Sequence, residues 1–220
     1  MRIIKRADKN KEAQLVTPKN NIYVSQLVLV DGEFALPINA TSFGYIFDGE
    51  LSYSGRVFVA GDFFSFPAIE GQDNKIVATG RAILFIRYGF LGQQIQGVVE
   101  DEGRVQYIDG CTDSVLVSPP RLGDACLNSL HFPTGITQTV HTHPTVRLGV
   151  VAKGSGIATT IKDGQLVDTL LEAGDAFILE ANEAHRFKTL GEKMLVVAYH
   201  PDSDYGPTDE FHPMKNRTYL

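Results

Sequence analysis

The chain has 220 residues, of which 43% are hydrophobic and 21% charged, enough to bury one large core or two of about 100 residues each. A formal charge of −6, from 20 basic and 26 acidic side chains, with no long basic run, speaks against nucleic-acid and anionic-membrane surfaces and for small-molecule partners. No stretch reaches the roughly 20 apolar residues of a membrane-spanning helix, and the start MRIIKRADKNKEAQLV carries charges without an apolar core, so a cytoplasmic location is expected.

In chain order, the first half reads as short β-type runs broken by Gly, Pro, Asn and Asp: IYVSQLVLV, GYIF, GRVFV, DFFSFP and AILFIRY. Acidic residues and glycine interrupt the pattern in GVVEDEGRVQ, residues 97 to 106, which is the expected domain boundary. The second half resumes with SVLVS, LGVVA, AFILE and MLVVAYH. This texture predicts an all-β fold of sandwich or barrel type, with brief helices only near Arg121 to Ser129 and in the C-terminal tail.

The runs recur. SFGYIFDG at 42–49 aligns with RLGVVAKG at 147–154, a shift of 105, and VAGDFFSFP at 59–67 aligns with EAGDAFILE at 172–180, a shift of 113. ILFIRY at 83–88 matches MLVVAY at 194–199 at a shift of 111. Two copies of one β-domain follow, over residues 1–103 and 104–220.

The chemistry-bearing residues fall in the second copy. All six histidines and both cysteines lie beyond residue 110. His141 and His143, in GITQTVHTHPTVRLGVVAKG, are two apart in a strand-like stretch, so their side chains share a face. His185, in GDAFILEANEAHRF, adds a third imidazole, and three neutral nitrogens suit a divalent metal. At the repeat shifts these positions correspond to Leu36, Ile38 and Gln72, which offer no ligand set, so the first copy reads as a scaffold.

The remaining candidates read as follows. Cys111 and Cys126 are too few for a disulfide framework and are expected to be reduced; Cys126 has no adjacent base to activate it. His131 is either a fourth ligand or a hydrogen-bonded core residue, and His200 and His212 fit turn and cap roles. Tyr199, on the last strand, is either a candidate proton donor to the pocket or a packing aromatic. No GxSxG elbow supports nucleophilic hydrolysis.

The two histidine stretches resemble the two motifs of the cupin superfamily. Gly135, His141, His143, Arg147 and Gly154 fall on the first motif, and Gly174 and His185 on the second. Arg147 stands where the family pattern has a glutamate ligand, and Glu180, Asn182 and Thr189 replace a proline, a glycine and an asparagine. The resemblance implies two tandem cupin-type jelly-roll β-barrels, a bicupin with a degenerate N-terminal barrel, and one divalent ion per chain on His141, His143 and His185.

Similarity to three-histidine cupin dioxygenases puts iron first among the metals, with nickel, manganese, copper or zinc as alternatives. It also puts first a dioxygenase acting on a small anionic or chelating substrate. A metal-dependent isomerase, lyase or hydrolase and a non-catalytic ligand-binding protein are the alternatives. In the catalytic reading Arg147 grips a substrate anion; in the structural one it pairs with a protein carboxylate, Glu180 or Glu183. The chain is expected to be a monomer or a homodimer.

Overall fold

The computed structural model describes residues 1–6, 14–16 and 24–215. Alternating residues of each strand face opposite ways, and here they sort into three separate cores. In the strand Ala82–Tyr88, Leu84 and Ile86 join Leu36, Leu51, Phe64 and Phe66 inside the first half. Ile83 and Phe85, of the opposite parity, face the second half. The strand Met194–His200 repeats the division, with Met194, Val196 and Ala198 inside the second half and Leu195, Val197 and Tyr199 facing the first.

The protein is therefore all-β, two tandem jelly-roll barrels packed sheet against sheet. The first half pairs a six-stranded antiparallel sheet, covering the second half, with a four-stranded one. The second half is a nine-stranded sheet folded on itself around the long strand Arg147–Lys162. Residues 147–150 of that strand pair with Ala176–Leu179, and residues 157–160 with His185–Lys188. Gly154 lies between, at a φ of 73°, where a Cβ would collide with the Lys193 carbonyl oxygen. The N-terminal strand Arg2–Ile4 pairs with Ala176–Leu179, so the first residues of the chain complete the second half's sheet rather than the first's.

The repeat is visible in side-chain contacts. Gly44 lies opposite Phe64 and Gly149 opposite Phe177, and in each pair a Cβ on the glycine would overlap the phenylalanine ring. The third alignment needs correction. Gly44 pairs with Leu84 and Gly149 with Ala198, so the structural shift is 198 − 84 = 114 rather than 111. A shift of 111 would equate an interior residue, Leu84, with an interface residue, Leu195, whereas 114 equates Phe85 with Tyr199.

Those two rings stack at 5.3 Å and 7° across the interface, and Phe43 packs on Tyr199 at 5.3 Å. The Tyr199 hydroxyl shares a 2.9 Å hydrogen bond with Ser25 of the first half. Tyr199 is thus fully buried between the barrels and is no proton donor to the other face of its strand. Tyr199→Phe is expected to lower stability by about 0.5–1.5 kcal/mol, the worth of one hydrogen bond, and to leave metal content unchanged, as a denaturation curve with elemental analysis would show.

The helix expected near Arg121 to Ser129 is absent. Asp124 closes a turn by accepting the Arg121 N–H at 3.0 Å, and Gly123 has a φ of 91°. Cys126–Phe132 is then a strand hydrogen-bonded on both sides, to Thr112–Val117 and to Met194–His200. Pairing on two edges outweighs the weak helical propensity of this stretch. The short 3₁₀ turn Pro213–Lys215 is the tail's helical piece among the described residues. No helix among them is long and apolar enough to cross a membrane.

Candidate metal centre and its cavity

His141 and His143 lie just before the strand Arg147–Lys162 begins, in an extended stretch that is not a regular strand. Two backbone contacts fix their shared face instead. His141 and His185 form an isolated antiparallel bridge, each N–H donating to the other's carbonyl at 3.0 Å. The His143 carbonyl accepts the Asn182 N–H at 2.7 Å. The three imidazoles converge: their ring centroids are 4.5–5.1 Å apart, and one nitrogen from each lies within 4.8 Å of the others.

The ring nitrogens are sorted by their partners. A carbonyl oxygen only accepts, so His141 Nδ1 donates to Thr139 O at 2.8 Å and His185 Nδ1 donates to Glu183 O at 2.9 Å. Each ring is held in the tautomer whose Nε2 carries a free lone pair. His185 Nε2 is buried with no hydrogen-bond partner, an orphan that native structures seldom leave without a compensating ligand. Burial, followed by Arg147 and the neighbouring imidazoles, pushes His143 down to about 3, and burial followed by His141 does the same to His185. Both are neutral at physiological pH, as metal ligation requires. The donor set and its geometry fit a divalent ion.

The departures from the cupin pattern are accommodated locally. Asn182 takes the glycine position at a φ of 60°, the left-handed conformation that asparagine tolerates better than most residues. Thr189, in the asparagine position, accepts the Ile136 N–H at 3.0 Å and donates to the Pro133 carbonyl, tying down the approach to the histidines.

The imidazoles open into a cavity of about 190 Å³. Phe177, Leu179, Phe187 and Val196 form its apolar wall, and Tyr107, Asp113, Asn128, Arg147, His200 and Asp204 its polar one. Arg147 is 5% exposed and does not pair with Glu180 or Glu183. Its Nη2 donates to Asp204 at 2.8 Å, and its Nη1 donates to Thr145 Oγ1 and to the Val146 carbonyl at 3.1 Å. Glu183 instead meets the N-terminal amine. Residues 201–204 are anchored from both sides: Arg87 of the first barrel donates to the Pro201 carbonyl at 3.3 Å, and Thr145 Oγ1 donates to the Asp202 carbonyl at 2.8 Å.

His131 faces away from the cavity, with its Nδ1 3.3 Å from Thr112 Oγ1, so it is not a fourth ligand. His200 lines the cavity rather than capping a turn; burial, with Arg147 and His143, keeps it neutral. Strand parity was the available signal, since His200 shares a face with Val196 and Ala198. Cys111 and Cys126 are free and buried, and burial pushes the Cys126 thiol up to about 12, an inert group. In the first barrel Leu36 is buried in the core, while Ile38 and Gln72 are exposed.

A jelly roll with three inward imidazoles defines a structural class, and comparison with known proteins shows what this chain is similar to. Residues 129–200 match the family model described as a cupin domain. The cupin 2 conserved barrel domain protein of Leptotrichia buccalis has 20% identity and a TM-score of 0.60, over 91% of this chain and 96% of that one. A glyoxylate-induced protein structure from Pseudomonas aeruginosa has 18% identity and a TM-score of 0.62, over 84% and 76%. Bacillus subtilis oxalate decarboxylase, described with Mn(II) centres, has 15% identity and a TM-score of 0.51, over 84% and 70%. No curated protein sequence matches. The family match covers the stretch that carries the three histidines, and the solved structures share the fold.

Proposed function

We propose that this protein is a metal-dependent cupin enzyme, a bicupin of residues 1–103 and 104–220 whose first barrel is a metal-free scaffold. In this reading His141, His143 and His185 hold one divalent ion, iron first, with nickel, manganese, copper or zinc as alternatives. The carrying observation is the convergence of three neutral imidazoles, with the buried Nε2 of His185 lacking any other partner. The activity we put first is a dioxygenase acting on a small anionic or chelating substrate.

An ion at this site would supply Lewis acidity and, when redox-active, a place for dioxygen. The chain's own residues would supply the rest. The carbonyls of Thr139 and Glu183 orient two of the rings. Phe177 and Phe187 keep water from one side, and Arg147 offers a cation to an incoming anion. A cavity of about 190 Å³ is smaller than the roughly 300–1,000 Å³ of sites for drug-sized ligands, which favours a small substrate.

Oxygen uptake during a screen of small chelating acids, against an anaerobic control, tests the dioxygenase reading. Turnover without oxygen would favour the second reading, a Lewis-acid isomerase, lyase or hydrolase, for which the structural likeness to a manganese decarboxylase is the supporting observation.

Arg147 provides a separate prediction. Arg147→Gln is expected to weaken binding of an anionic probe such as oxalate by roughly 10-fold to 150-fold, since a charge-assisted contact contributes about 1.5–3 kcal/mol, while metal content stays the same. A purely structural pairing with Asp204, whose carboxylate is 38% exposed, would instead lower stability by about 1–3 kcal/mol and leave probe affinity unchanged. Melting temperature, bound metal and oxalate affinity measured on one variant separate the two.

A further inference from the structure

The cavity contains a carboxyl group that metal ligation does not use. Asp113 lies on the strand Thr112–Val117, whose bulge between Val115 and Val117 turns Asp113 into the cavity while Val117 faces the inter-barrel core. It sits opposite Leu130, another lining residue. Asn128 Nδ2 donates to Asp113 Oδ2 at 2.7 Å, and Asn128 Oδ1 is buried without a partner. Among the described residues no basic side chain forms an ion pair with Asp113, because the cavity's arginine is engaged by Asp204.

Burial raises the Asp113 carboxyl to about 6, with the Asn128 bond acting in the opposite direction. It therefore exchanges a proton close to neutral pH, where acid–base groups work best. The titratable and charged groups around it are Tyr107 and Cys126 on neighbouring segments, and Arg147, Asp204, His143 and His200 in the same cavity wall.

We propose that Asp113 is the proton acceptor of this cavity, and that the ligand it serves is a small chelator that gives up a hydroxyl proton on binding, such as a hydroxamic acid, an enol or an α-hydroxy ketone. The inference rests on the three-imidazole metal reading. In the step, the ligand O–H bond breaks, the electron pair stays on the ligand oxygen, and the proton passes to a carboxylate oxygen of Asp113. Asn128 keeps its N–H on Oδ2 and so holds the carboxyl plane in place. The neutral acid then returns the proton when the ligand leaves.

The test uses the full chain loaded with zinc, which is redox-inert, and acetohydroxamic acid as the probe. Calorimetry at about pH 7.5, above the Asp113 range, in buffers of different ionisation enthalpy counts the protons released per probe bound. The wild-type protein is expected to release far less than one proton, because the ligand oxygen, left anionic beside the carboxyl, disfavours its ionisation and raises Asp113 in the complex above the assay pH. Asp113→Asn should release about one, and Asp113→Ser should do the same, which covers a folding failure of either variant. Equal proton release in wild type and variants, with zinc and probe both bound, overturns the assignment of Asp113 and leaves the metal reading standing. Zinc bound without the probe overturns the ligand class. Failure to take up one equivalent of zinc overturns the metal reading and this inference with it.

Discussion

Replacing His185 with leucine is expected to lower metal affinity by about 1000-fold or more while leaving the metal-free protein at least as stable as the parent. The two effects oppose each other because His185 is a liability without a metal. Its Nε2 is buried and unpaired, an arrangement worth about 1–3 kcal/mol of lost solvation. Leucine removes that cost, fills much the same volume beside Phe187, and gives up one Nδ1 hydrogen bond to Glu183 O, worth about 1 kcal/mol. For the metal, loss of a direct ligand must exceed the 10-fold to 100-fold effect typical of losing a supporting partner. Urea denaturation of the chelator-treated proteins and zinc titration of each provide both numbers. A leucine variant that binds zinc as tightly as wild type would rule out His185 as a ligand.

The second large effect concerns the barrels' dependence on each other. Residues 104–220 expressed alone are expected to be insoluble or unfolded. Such a fragment exposes the face formed by Leu127, Leu148, Val150, Ile178, Val197 and Tyr199, all buried against the first barrel in the full chain. It also loses the strand Arg2–Ile4 from the edge of its sheet and the Arg87 contacts that anchor residues 201 and 202. A single charge in the same interface, Phe85→Asp, should destabilise the whole protein by more than about 4 kcal/mol, since no partner is available for it there. A soluble, monomeric fragment with full zinc affinity would show that the first barrel is dispensable. That outcome would remove its role as scaffold.

Much of this architecture is legible in the amino-acid sequence, and the parts that are not have physical causes. Glycine-punctuated β runs announce an all-β fold, and the Gly44–Phe64 and Gly149–Phe177 contacts show why two of the repeat alignments hold: each preserves a glycine that a neighbouring ring covers. The third alignment matched apolar residues without regard to face. In a strand, an odd offset exchanges the two faces, and the three-residue difference between 111 and 114 equates Leu84 with Leu195 across that exchange.

Spacing marks the three histidines, yet their convergence depends on a single backbone bridge and on Asn182 at a positive φ, neither of which a strand pattern expresses. Motif spacing marks Arg147 but not its partner Asp204, which lies 57 residues away in a tail segment held by Thr145 and Arg87. Asp113 was hidden by the bulge that separates it in facing from Val117.

The account turns on a metal ion held by three imidazoles, and elemental analysis of untagged protein, purified without chelator, tests this most directly. The account predicts one divalent ion per chain in the wild-type protein and none in the variant with His141, His143 and His185 all changed to alanine. A wild-type protein that neither carries an ion nor takes one up on titration with iron(II), manganese or zinc would contradict it, as would a triple variant that keeps one equivalent at unchanged affinity.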